Sequence, residues 1–343
     1  MLLPFVRACR KMPTERTPVW FMRQAGRYMA EYRKLRQSHS ILEICKTPQL
    51  AAEVTMQPID ALDVDAAIIF ADLLLPIEPM GLKLEFVQGD GPVIHNPIRG
   101  AADVDKLNVL NAADLGYVGE AISLVKKELS GKKPVIGFIG APFTLASYMI
   151  EGGGSRHYAH TKQLMYSEPE TWNRLMDRII RTVTPFAASQ VAAAPTPSRF
   201  SIAGWARCAG RLRALRVAPR HYARAPAPDH RRARDLLRHR RAAMMPLLDR
   251  AGADVLGVDW RIEIDDAWAS VGHRPAVQGN LDPLALLAPI PEIRRRVEDI
   301  LRRVGGRDGH IFNLGHGIIP QTPVDHVKAV VEMVREYQLP QNG

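Results

Sequence analysis

The feature that most restricts this chain is a repeated order of short apolar run, turn and amphipathic stretch. "DAAIIFAD" (Asp65–Asp72) is an apolar run that closes on a carboxylate. "PVIGFIGAPFTLASYMI" (Pro134–Ile150) reads as a strand, a Gly-Ala-Pro turn and a helix start. Pro142 suits an early helical position, where its missing N–H costs no bond. "ADVLGVDW" (Ala253–Trp260), "PAVQGNLDP" (Pro275–Pro283) and "HIFNLGHG" (His310–Gly317) are further strand candidates, and helical periods cover Ile293–Val304 and Val324–Tyr337. Strands alternating with helices predict a parallel sheet. Over 343 residues a closed (β/α)8 TIM-type barrel fits best, as one domain spanning 1–343 with no Gly/Ser linker and no fixed repeat.

A barrel of this kind places its chemistry where strands end, so polar residues just after apolar runs are the candidates. That rule selects Asp72, Tyr148, Asn280, Asp282, Asn313 and His316. A second group stands in "PVWFMRQAGRYM" (Pro18–Met29), where Trp20, Phe21 and Met22 adjoin Arg23, Gln24 and Arg27, with Gly26 as a hinge. A solvated helix face separates its charges from its apolar stripe. Here they are adjacent, which suggests a wall apolar on one side and anion-seeking on the other, ahead of the first strand and placed to line the mouth. Plainer readings stand beside these. Asp72 also fits a helix N-cap, and Arg23 with Arg27 an exposed i, i+4 pair. His316, between two glycines, also fits a turn, and Tyr148 a core tyrosine with a satisfied hydroxyl. "EGGGS" (Glu151–Ser155) lacks the Lys-Ser/Thr ending of a phosphate loop and follows a helical pattern.

The net charge of +10 raises nucleic acid or an anionic membrane as a partner, but its location argues otherwise. Thirteen arginines lie between Arg199 and Arg241 against two acids, Asp229 and Asp235, which leaves 33 basic and 34 acidic residues elsewhere. The segment has one Trp, one Tyr and one Phe, and no array on which bases could stack. No run approaches eighteen apolar residues, so no membrane span is expected. The opening "MLLPFVRACRKMP" is too short in apolar residues and charged too early for a signal peptide. Cys9, Cys45 and Cys208 are scattered, which argues for a reducing, cytoplasmic setting without disulfides or structural zinc.

With these residues assembled, the chain resembles the uroporphyrinogen decarboxylase family. The matching stretches are "PVWFMRQAGRYMAEYR", "IIFADLLLPIEPMG", "GFIGAPFTLASYMIEGGGS", "AGADVLGVDWRI", "VQGNLDP" and "GHIFNLGHGIIPQTPVDHV". They run in family order to about residue 190 and again from about 245. The resemblance implies a barrel enzyme without metal or other cofactor, usually a homodimer, that removes carbon dioxide from the four acetate side chains of uroporphyrinogen III. By the same resemblance Asp72 is the catalytic carboxylate facing the pyrrole N–H groups. Arg23 and Arg27 hold substrate carboxylates and help deliver the proton. Gln24, Ala25 and Gly26 complete that substrate-binding stretch, and Tyr148 and His316 are further substrate contacts. The alternative is a corrinoid- or thiol-linked methyltransferase of the same barrel superfamily; the scattered cysteines, with no His-x-Cys element, and the RQAGR run favour the decarboxylase.

Between about 194 and 241 both the resemblance and the barrel pattern stop. This stretch, rich in Ala, Arg and Pro, fits a basic insertion that binds polyanions, but it reads more simply as the right DNA in the wrong frame. Regrouping the codons of Pro195–Ala206 permits "ADAVQIFDSWVG", a strand with polar residues at its end, and "LRHRR" (Leu237–Arg241) regrouped the other way permits "FGTG". The two pieces need different frames, so several insertions or deletions are implied. A family serine that contacts substrate carboxylate would fall near Ile202–Ala203, and the segment as it stands is not expected to fold into the barrel.

Overall fold

The stretch expected to precede the first strand is itself part of the sheet. In the computed structural model, which describes residues 2–87, 91–109, 111–194, 245–250 and 252–338, Val19 forms a parallel bridge with Phe312. The Phe312 N–H donates to the Pro18 carbonyl at 2.8 Å, and the Trp20 N–H donates to the Phe312 carbonyl at 3.2 Å. On the other side the Asp65 N–H donates to the Val19 carbonyl at 2.8 Å. The Asp65 carboxylate closes the latch by accepting from the Val19 N–H at 2.8 Å and from both terminal nitrogens of Arg16 at 2.6 and 2.7 Å.

From Pro18–Trp20 the sheet extends both ways. One side carries β1 (Ala67–Ile68) and β4 (Val135–Ile136), parallel, with Ala67 opposite Val135. The other carries β7 (His310–Leu314), β6 (Ala276–Leu281) and β5 (Val255–Gly257), also parallel, with Asn280 opposite Asn313 and Leu256 opposite Val277. Among the described residues the five strand candidates are all present but shorter. Asp65–Asp72 keeps only two strand residues, because the Phe70 N–H leaves the ladder for the Thr55 hydroxyl at 2.8 Å. An antiparallel hairpin of β2 (Leu84–Val87) and β3 (Gly91–Ile94) was not expected, although Gly89-Asp90-Gly91 carries the turn signal that announces one.

Helices cover this sheet. α1 (Pro4–Cys9) packs against β6 and β7, and α2 (Ala30–Ser38) and α3 (Ile41–Lys46) follow the arginine stretch. α4 (Pro48–Leu62) backs β1, and after α5 (Ala101–Asp105), α6 (Gly116–Leu129) backs β4. α7 (Pro142–Glu151), α8 (Ala159–Ser167) and α9 (Pro169–Ala193) pack on one another. α10 (Met245–Arg250) leads into β5, α11 (Ile264–Ala269) and α12 (Ile290–Val304) flank β6, and α13 (Val324–Glu336) lies against α12 and α4. Pro142 takes the first turn of α7 as expected, and the Glu151–Ser155 run closes that helix. Gly152 adopts a φ of 84°, and Glu151 accepts from the N–H and the hydroxyl of Thr161, each at 2.8 Å. One apolar cluster runs from Phe5 to Val334, with Trp20, Phe21, Trp172, Trp268 and Phe312 fully enclosed. The arginine-rich segment, beyond Ala194, lies outside the described residues.

Candidate active site

Because the sheet strands are parallel, the loops that follow them open at one end, and the candidate residues arrive there from four of them. Arg23 and Arg27 follow Pro18–Trp20, Asp72 follows β1, Tyr148 lies on α7 beyond β4, and His316 lies two residues after β7. The arginine loop is fastened at several points. The Asn313 carboxamide oxygen accepts from the Met22 N–H at 3.0 Å, and the Ile318 N–H donates to the Met22 carbonyl at 3.0 Å. Arg33 donates to the carbonyls of Arg27 and Tyr28 at 3.0 and 2.9 Å.

The hinge of this loop is Arg23, not the expected Gly26. Arg23 adopts a left-handed φ of 62°, a conformation that costs a non-glycine residue about 1–2 kcal/mol. Its arm lies on the backbone of Gly317, where an added Cβ would stand 2.5 Å from the Arg23 Cδ. Both guanidiniums are exposed, and Ala25 and Gly26 are half-buried between them. Gln24 departs from the expected substrate wall. Its side chain is fully enclosed, accepting from the Phe21 N–H at 3.1 Å and donating to the Ala66 carbonyl at 3.0 Å. The amide is committed internally and ties the arginine loop to the strand that carries Asp72. Trp20 and Phe21 likewise face the core, so the apolar side of the wall is interior packing.

Asp72 realises part of its plainer reading: Oδ1 accepts from the Leu74 N–H at 2.8 Å, capping a tight turn. Oδ2 has no hydrogen-bond partner among the described residues. Burial pushes the carboxyl above its ordinary range, while the Leu74 N–H and the nearby Arg23 guanidinium pull it back. Tyr148 is half-buried, and its hydroxyl is raised by burial and then by the Asp72 charge, with Arg23 opposing. These mutual influences bring Asp72, Arg23 and Tyr148 into one electrostatic neighbourhood. His316 is exposed and stands edge-on to Trp260, with ring centroids 5.9 Å apart.

Three other candidates serve the frame. The Asn280 amide donates to the carbonyls of Asp259 and Ile262 at 3.1 and 2.6 Å, Asn313 holds the arginine loop, and Asp282 caps the turn at Leu284. Sequence reasoning missed Trp260 and Arg261, which continue the rim beyond His316. A Trp-Arg pair directly after a strand that ends in a carboxylate was the available signal. Among the described residues no three His, Cys, Asp or Glu side chains gather to hold a metal ion, and no helix is long and apolar enough to cross a membrane.

The arrangement presents a half-buried carboxylate, two exposed guanidiniums and a half-buried phenol at one mouth, suited to a ligand with N–H donors inside and anions outside. Residues 3–337 match the family model described as "Uroporphyrinogen decarboxylase (URO-D)". The chain is 55% identical to the uroporphyrinogen decarboxylase of Solibacter usitatus, with 97% of each chain covered. It is 50% identical to that of Koribacter versatilis, covering 97% of this chain and 95% of the relative. Among solved structures it resembles a methyltransferase from Methanosarcina mazei with a TM-score of 0.70 and 18% identity, over 96% of this chain and 97% of the other. That likeness bears on the fold alone, and with the family match it gives the (β/α)8 barrel.

Proposed function

The chain belongs to the uroporphyrinogen decarboxylase family, and from that premise we propose how its site works and what its altered segment does to it. The activity is that of a carboxy-lyase on uroporphyrinogen. It removes the four acetate carboxylates of uroporphyrinogen III to give coproporphyrinogen III, without a cofactor.

The substrate is a macrocycle with eight carboxylates outside and four pyrrole N–H donors inside. Loss of carbon dioxide needs a pyrrole carbon protonated first, so that the ring becomes a cation able to take the electron pair of the breaking C–C bond. Asp72 binds the N–H donors and opposes that developing charge from a fixed position in a poorly solvated setting, where it counts for more than in water. Arg23 and Arg27 read the acid rim. A guanidinium suits this better than an ammonium, because its fork meets a carboxylate through two bonds and stays charged. Tyr148 and His316 contact the bound macrocycle, and Gln24 positions the arginines. The observation that carries this reading is that Arg23 influences Asp72 and Tyr148 while lying on Gly317 beside His316.

The test replaces Arg23 or Arg27 by Lys and follows carbon dioxide release from octa-, hepta-, hexa- and pentacarboxylate porphyrinogens. Losses should grow with the number of acetates, to about tenfold for the octacarboxylate. Equal losses on every substrate would mean that these arginines do not read the rim.

The assembly is a cytoplasmic homodimer of single-domain subunits. Leu284, Leu287 and Ile290 support the dimer, forming an exposed apolar group after β6 on the side of the mouth. Residues 194–241 read as an out-of-frame stretch in which the family's substrate-contacting serine is lost, and this impairs the chain as it stands.

A further inference from the structure

We propose that Arg261, seated on Trp260, is a third anion-reading position of this mouth and binds a substrate carboxylate that Arg23 and Arg27 do not reach. The inference rests on the decarboxylase reading and deepens it. The Arg261 guanidinium carbon lies 3.8 Å from the Trp260 ring centroid, a stacked contact that orients the fork before any ligand arrives. Behind it the carboxylate of Asp259, only 1% exposed, accepts from Arg261 Nη1 at 2.8 and 3.0 Å, and Oδ1 also accepts from the Arg261 backbone N–H at 3.0 Å. Both side-chain bonds use Nη1. Nε and Nη2 have no partner among the described residues, and the arginine side chain is 58% exposed. The pair therefore buries its negative end and turns its positive end outward.

Its placement is set by close backbone approaches. Asn280 bonds to the Asp259 and Ile262 carbonyls and so pins both sides of the Trp260-Arg261 turn to β6. An added Cβ at Gly315 would stand 2.3 Å from the Trp260 nitrogen, so the loops after β5 and β7 touch. Trp260 meets His316 edge-on, and the next residue, Gly317, carries the arm of Arg23. Arg23, His316, Trp260 and Arg261 thus form a continuous band along one rim, with a guanidinium at each end. A macrocycle with carboxylates around its whole edge offers an acid to both.

Removing Arg261 alone takes an ion-pair partner from a buried carboxylate and endangers folding. The experiment therefore uses Arg261→Lys, which keeps a charge beside Asp259, and the double variant Asp259→Asn/Arg261→Met, which removes both. The full-length chain is used, with residues 194–241 returned to frame. Two quantities are measured: the Kd of uroporphyrin, the oxidised octacarboxylate, by fluorescence titration, and KM and kcat on octa- and pentacarboxylate porphyrinogens. We expect both variants to raise Kd and the octacarboxylate KM about tenfold, with kcat little changed and a smaller effect on the pentacarboxylate. Unchanged Kd and KM in both variants would overturn the inference while leaving the decarboxylase reading intact. A parent chain that binds uroporphyrin through Arg261 yet releases no carbon dioxide would sink the reading and keep the site, whereas a parent that neither binds nor turns over would sink both.

Discussion

At the scale of single residues the account depends on Asp72 being ionised when substrate is bound. Burial raises its pKa and Arg23 holds it down, so Arg23→Met should raise it further. The acid limb of the kcat profile then moves to higher pH, and a limb that stays in place would separate Arg23 from Asp72. His310, at the start of β7, gives an independent test of stability. Its Nε2 donates to the Gly279 carbonyl at 3.0 Å, its Nδ1 has no partner among the described residues, and burial pushes its pKa from 6.5 down to about 4. The folded state holds the ring neutral while the unfolded chain protonates below 6.5. That contribution is whole above pH 6.5 and is lost as pH falls toward 4, amounting to about 3 kcal/mol. Denaturant titrations of His310→Gln should therefore show a shallower stability loss over that window than the parent, and parallel curves would contradict it. The placement of Asp72, Arg23 and Arg27 at the open end of the sheet was legible in the sequence, because each follows an apolar run. Gln24 was not, since nothing in its type separates an amide facing substrate from one serving as an internal strut.

At the scale of elements, the arginine loop works only if it is held against the sheet. Pro18–Trp20 supplies the ladder between β1 and β7, the Arg16–Asp65 latch secures its start, and Gln24 secures its end. Gln24→Ala leaves the Ala66 carbonyl and the Phe21 N–H unpaired in the core and should cost about 2–3 kcal/mol. It should also raise KM, because Arg23 and Arg27 lose their fixed stance; thermal unfolding and steady-state kinetics check the two effects separately. A variant with intact stability and kinetics would remove Gln24 from the account. Strand positions could be read from apolar runs, but their ends could not. Phe70 leaves its ladder for Thr55, fifteen residues away in sequence and adjacent only in space. Pro18–Trp20 was missed as a strand because its three residues are too few to show a period, and its pairing partners lie far along the chain.

At the scale of the whole molecule, the excess of positive charge is concentrated in residues 194–241. A barrel closes only when each strand finds both neighbours, and clustered arginines cannot enter its wall without partners. On the proposed frame correction, "ADAVQIFDSWVG" and "FGTG" return and the net charge comes close to balance. The barrel itself was legible because parallel strands alternate with amphipathic helices along most of the chain; the rim formed by Trp260 and His316 was not, because it exists only once the loops after β5 and β7 meet. The most direct test of the central claim is the rate of coproporphyrinogen formation from uroporphyrinogen III by the frame-corrected chain and by its Asp72→Asn variant. The account predicts steady product from the corrected chain, little from the chain as it stands, and a loss of about a hundredfold or more for Asp72→Asn with the fold retained. Near-normal turnover by Asp72→Asn, or no product from a folded corrected chain, would contradict it.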